Sequence, residues 1–123
     1  MNHSQFLPEV LRQRTVIEFL VETEPSQETM IQFLKDFSDH VGMTRLREPE
    51  ASPAGDVGWG YWQHWITSGC HVYTYTKWNG VVLPKVLVTI DTYTCKAFDE
   101  QKATAFVQQH FNVKEDEIQH WNA

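Results

Sequence analysis

The run VLVTIDTYTC, residues 86–95, is the clearest β-strand in the chain and constrains the fold most. A strand that apolar must be buried under a second layer, and the rest of the sequence supplies one. Residues 15–21, TVIEFLV, form another apolar, β-branched run suited to a central strand, with Glu18 as its one charge. Pro25 and Ser26 stop that run, and Ser26 can cap a helix in which Met30, Leu34, Phe37 and Val41 recur at helical spacing up to Gly42. Asp99 is the N-cap of a second amphipathic helix carrying Ala103, Phe106, Val107 and either His110 or Phe111.

Between these elements lie residues 61–67 and 70–76, which read as one long strand bent at Ser68 and Gly69, because a glycine inside a strand pattern marks a bulge. Asn79-Gly80 is a turn signal, while Pro84 implies a connection longer than two residues. Centring that hairpin near residues 82 and 83 sets Cys70 across from Cys95, with the two thiols facing one another. Residues 45–60, interrupted by Pro49, Pro53, Gly55, Gly58 and Gly60, read as a loop bordering a site, and residues 113–121 as a short edge strand. The order predicts an α/β fold: a two-layer α/β sandwich, its sheet mainly antiparallel, with two helices on one face. A length of 123 residues fits a single domain over residues 1–123.

A net charge of −6 argues against nucleic acid as a partner, since that affinity rests on Lys and Arg displacing counterions. Two cysteines are too few for a disulfide framework, and the N-terminus lacks the apolar core of a signal peptide, so a cytoplasmic setting is expected. Residues 57–76 contain no Asp, Glu, Lys or Arg, but Gln63, His64, Ser68 and His71 interrupt them. They read as buried strands, not as a membrane span.

Several residue types here carry chemistry elsewhere. A thiol is a nucleophile only when ionised, and His71, next to Cys70 on an extended strand, points to the opposite face. Read alone, Cys70 and Cys95 are small buried hydrophobes. Six His and two Cys show none of the short paired spacings of a metal site, so no metal is expected. Glu18 and Asp91 lie on predicted strands, where a buried acid marks a site and an outward one is ordinary. Alternation puts Trp59, Tyr61 and Trp65 on related faces against the helices; Trp59, on the loop, is also a candidate for stacking on a planar ligand.

One stretch resembles a known family. IDTYTCKAFDEQKATAFVQQHF, residues 90–111, is similar to the Asp-x-aromatic-Thr-Cys segment and following helix of the small bacterial and archaeal S-adenosylmethionine decarboxylases. HVYTYTKW resembles that family's His-x-x-x-His-Thr-Trp strand, and Ser52-Pro53-Ala54-Gly55 its Ser-Pro-x-Gly loop. The resemblance implies a pyruvoyl group, made when a Ser attacks the preceding peptide bond, that serves as electron sink for decarboxylation in spermidine synthesis. By this alignment Cys95 matches the proton-donor Cys and His71 the His after the cleaved Ser. Cys70 stands where the family has that Ser, Gly69 where it has Glu, and Tyr75 where it has the processing His. The aromatic that the family places before its Ser-Pro loop, to stack on adenine, falls on Ala51, a role Trp59 could take over.

The expected site is therefore Cys70, the pyruvoyl precursor, with Cys95, Tyr75 and His71, and around the substrate Ser68, Gly69, Trp59, Asp91 and Glu18. A two-residue shift would put Ser68 at the nucleophile but lose the His positions. Tyr75, with an ordinary pKa of about 10, is a poor base at neutral pH. Two functions follow from the resemblance. One is a homodimeric decarboxylase of S-adenosylmethionine, if the Gly69-Cys70 bond is cleaved. The other is an unprocessed homologue that binds a small aminoacyl or nucleoside ligand, or a competent paralogue, as a regulator.

Overall fold

The computed structural model describes residues 2–123. Their elements run β1 (Asn2–His3), β2 (Leu11–Val21), α1 (Gln27–Val41), β3 (Glu50–Pro53), β4 (Gly58–Trp65), β5 (Ser68–Trp78), β6 (Val81–Thr94), α2 (Glu100–Phe111) and β7 (Ile118–Asn122). The strands form one sheet in the order β1-β2-β6-β5-β4-β3, with β7 also paired to β2, and every pairing is antiparallel.

The strong strand pattern of residues 86–95 belongs to β6, which lies between β2 and β5. Its alternate residues Val86, Val88, Ile90, Thr92 and Thr94 are buried, as are Ile17 and Phe19 of β2 and Cys70 and Val72 of β5. Period-two alternation thus gives each strand one face turned to the helices. Helix α1 starts where the Thr29 amide donates to Ser26 Oγ and ends at Gly42, whose φ of 73° is left-handed. It buries Met30, Phe33, Leu34, Phe37 and Val41. The Asp99 carboxylate caps α2 by accepting from the Gln101 and Lys102 amides. Helix α1 lies over β3 and β4, and α2 over β2 and β7. Phe33 of α1 meets Phe111 of α2 with ring centroids 4.9 Å apart. The result is the expected two-layer α/β sandwich, with both helices on one face of the sheet and the other face bare of helix.

Three local expectations change. Residues 61–67 and 70–76 are not one bent strand but the two arms of a hairpin, β4 and β5, joined by Ile66 and Thr67, with Trp65 opposite Ser68. Residues 45–60 contain β3 and the start of β4, because Glu50 to Pro53 pair with Trp62 to Trp59 despite their prolines and glycines. The β5–β6 connection is a two-residue type I′ turn at Asn79-Gly80, with φ of 52° and 77°, so Trp78 faces Val81. The influence of Pro84 appears further on: a bulge sets Thr76 alone against Leu83, Pro84, Lys85 and Val86 before pairing resumes at Tyr75 and Leu87. Proline lacks an amide hydrogen, and the bulge spares it a ladder position.

Ile90 sits at the centre of this sheet, fully buried between β2 and β5. Ile90→Ala is expected to destabilise the fold by about 2–5 kcal/mol and Ile90→Val by about 0.5–1.5 kcal/mol. Denaturant midpoints at unchanged slope check both.

Candidate functional site

Where pairing resumes after the bulge, the register decides which side chains meet. Cys70 stands opposite Thr92, not Cys95, and across β4 it stands opposite Gln63. All three are buried on the helix side of the sheet. Cys70 Sγ lies 3.7 Å from Thr92 Oγ1. Burial pushes the Cys70 thiol up to about 12, with the negative charge of Asp91 adding to the effect. Cys95 instead follows the end of β6, at the Ile66-Thr67 turn. Its amide donates to Ser68 Oγ at 2.9 Å and its thiol to the Ile66 carbonyl at 3.8 Å. The Ser68 hydroxyl, then the Thr67 hydroxyl, lowers the Cys95 thiol below the usual range. The expected pair of facing sulfurs is therefore two separate thiols, shifted in opposite directions by their surroundings.

The residues around Gly69 and Cys70 do not fit a pyruvoyl precursor. The bond between them lies inside a strand paired on both sides. The Cys70 thiol is held protonated among Thr92 and Gln63, and Tyr75 projects from the opposite face. A thiol in that state is a poor nucleophile.

On the bare face the geometry is different. His71, one residue on from Cys70, lies opposite Trp62 of β4 and Asp91 of β6. With Arg14, Ser68, Gly69 and Tyr93 they line an open hollow of about 600 Å³. Arg14 holds Asp91 in a two-pronged pair, Nε to Oδ1 at 2.9 Å and the second nitrogen to Oδ2 at 2.6 Å. His71 packs on Trp62 with centroids 4.1 Å apart and on Tyr73 at 5.3 Å. Desolvation lowers the His71 pKa, and His64 adds to that effect against the opposing pull of Asp91, so the ring favours its neutral form. Gly69 permits the close approach of the indole: a Cβ there would lie 2.8 Å from the Trp62 ring.

Of the expected site residues, Ser68, Gly69, His71 and Asp91 are brought together here. Cys70 is behind the sheet, and Cys95 is at its end. Trp59 also faces the helix side, its amide donating to Thr74 Oγ1, so Trp62 and not Trp59 is the exposed stacking surface. Tyr75 lies further along the bare face against Tyr73 and Trp78. Glu18 accepts from Gln119 beside a different hollow of about 280 Å³. Arg14, Trp62 and Tyr93 were missed as site residues. For Arg14 the available signal was a cation flanking a strand whose partner carried Asp91; for Trp62 it was alternation, which puts it on the face opposite Tyr61.

Among the described residues no group of three or more His, Cys, Asp or Glu is arranged to hold a metal ion. No helix there is long and apolar enough to cross a membrane. Compared with known proteins, the chain matches no family model and no curated protein.

The two thiols should differ sharply in reactivity. In the native protein at neutral pH, iodoacetamide should modify Cys95 and leave Cys70 untouched until the chain unfolds, as read by peptide mass. Ser68→Ala should slow modification of Cys95 by about threefold to tenfold, since a less acidic thiol holds less thiolate. Equal rates at the two positions would contradict the placement of Cys70.

Proposed function

We propose that this chain is an unprocessed relative of the S-adenosylmethionine decarboxylases that binds a small aminoacyl or nucleoside ligand on the bare sheet face. The observation that carries this reading is the division of β5 between its two faces. The thiol that would have to attack its own backbone points into the core, while the side chains suited to holding a ligand point into the hollow. Trp62 and His71 offer an aromatic surface for a planar ring. The Arg14–Asp91 pair offers both charges at the edge of that surface, suited to the ammonium and carboxylate of an aminoacyl group. Without processing, the protein acts through binding, as a regulator of a competent enzyme or of ligand supply. Its two free thiols fit a reducing, cytoplasmic setting.

The same face supports the expected homodimer. Tyr93 and Trp121 are 40% and 42% exposed there, large for aromatic residues on a sheet surface. A second copy laid face to face would cover them and close the hollow from above.

Intact mass of the purified protein should give one unbroken species near 14.4 kDa; fragments of residues 1–69 and 70–123 would overturn the unprocessed reading. Calorimetric titration with S-adenosylmethionine and with adenosine should detect binding. Trp62→Ala should weaken it by about tenfold or more, given about 1–3 kcal/mol for stacking a base on an aromatic ring. An unchanged affinity in that variant would remove the hollow as the site. Light scattering should return twice the chain mass, and a monomer mass would remove the paired assembly.

A further inference from the structure

The β5–β6 hairpin runs past its neighbours. Pairing of β6 with β2 ends at Val86 opposite Val21, and pairing of β5 with β4 ends at Tyr75 opposite Gly58, so residues 78–82 form an arm with no strand on either side. A two-stranded arm is marginal by itself. This one is apolar as well: Trp78, Val81 and Val82 are 55%, 65% and 70% exposed. An apolar patch of that kind on ordered backbone marks a surface of contact.

Trp78 leans toward the bare face. The Thr76 and Lys77 amides both donate to the Val57 carbonyl, at 2.7 and 3.3 Å, a bulge that carries Trp78 to the side of Tyr75. Its ring lies 6.0 Å from that of Tyr75 and ends a line of rings, Trp62, His71, Tyr73 and Tyr75, each within 6.3 Å of the next. The line has a knob at one end and a hole at the other. The Trp78 indole projects from the arm, and the hollow of about 600 Å³ opens beside Gly69 and His71. Residue 74 lies midway between Trp78 and Cys70, about 13 Å from each along a strand.

We infer that a second copy of this chain seats its Trp78 in the hollow, each copy filling the other about a twofold axis near residue 74. With the bare faces together and the axis set across β5, the two strands run antiparallel, and each Trp78 falls over Gly69 and His71 of the other copy. An indole in the hollow excludes a ligand, so pairing and ligand binding compete. This rests on the hollow being the ligand site, as proposed above, and names what fills it when ligand is absent.

Charge and coverage favour this occupant. From residue 57 to residue 90 the only Asp, Glu, Lys or Arg side chains are Lys77 and Lys85. Lys85 is held by Glu22 and Glu117, whereas Lys77, beside Trp78, has no carboxylate partner among the described residues. The twofold carries Lys77 over His71 of the other copy and its neighbour Asp91, a carboxylate with lone pairs to spare beyond the two that Arg14 engages. The seated indole meets the Arg14 guanidinium, and cation and ring attract. One contact thus covers the exposed Trp78 and the exposed Tyr93 together.

The test uses the full chain. In an equimolar mixture of isotope-labelled and unlabelled chain, filtered NOE spectra should connect the Trp78 indole of one copy to the Tyr93 ring of the other. Light scattering over a dilution series should give a dimer whose dissociation constant rises by about thirtyfold or more in Trp78→Ala, as for a tryptophan anchor, and by less in Lys77→Glu. Both residues lie on an exposed arm, and unchanged circular dichroism verifies that the variants fold. S-adenosylmethionine should bind wild type more weakly as chain concentration rises, and should drive the mass from two chains toward one. In Trp78→Ala its affinity should be higher and independent of concentration. A dimer lacking the Trp78–Tyr93 contact, or one as tight in Trp78→Ala as in wild type, would overturn the inference. So would a chain that stays monomeric at every concentration, or a ligand that binds with the dimer mass intact. The contact found in a dimer that binds neither S-adenosylmethionine nor adenosine would support the seating of Trp78 and sink the ligand reading instead.

Discussion

The antiparallel pairing of β5 with β6 is the constraint on which the other features depend. Its register is set by a tight turn at Asn79-Gly80 and then displaced by the bulge around Pro84. Because side chains alternate, a slip of one residue would exchange the two faces of β5 and turn His71 inward and Cys70 outward. The bulge leaves even parity between residues 70 and 92, so the thiol falls with the core and the imidazole with the bare face. The charge pair, the aromatic wall and the separation of the two sulfurs all follow from that single offset.

The large elements were legible because their signals are local and redundant. Ser26, Gly42 and Asp99 mark helix ends, and alternating burial marks β2 and β6. Even the opposition of Cys70 and His71 followed from adjacency on a strand. The hairpin register was not legible, because Asn79-Gly80 and Pro84 pull its centre in different directions. Only tertiary pairing, with β2 holding Val86 opposite Val21, decides that the turn is tight and the excess residues bulge. The strand hidden in residues 45–60 was masked similarly: β3 is a short, exposed edge strand, where Pro53 costs no central ladder bond.

The candidate site was half legible for a related reason. Ser68, Gly69, His71 and Asp91 sit on strands whose faces sequence spacing can order. Arg14 and Trp62 join them only because β2 and β4 flank those strands, a fact of topology and not of spacing. Cys70, the expected reacting group, is buried with its thiol held protonated, and that burial argues against the role.

Thr67 closes the β4–β5 corner with a φ of 55°, a backbone shape that disfavours branched side chains and costs about 1–2 kcal/mol. Glycine would relax that corner at once. It would also remove a hydroxyl that helps lower the Cys95 thiol below its usual range. The bend is thus more costly than a hairpin needs, and what the chain gains for it is a second hydroxyl turned toward the sulfur at the rim of the sheet.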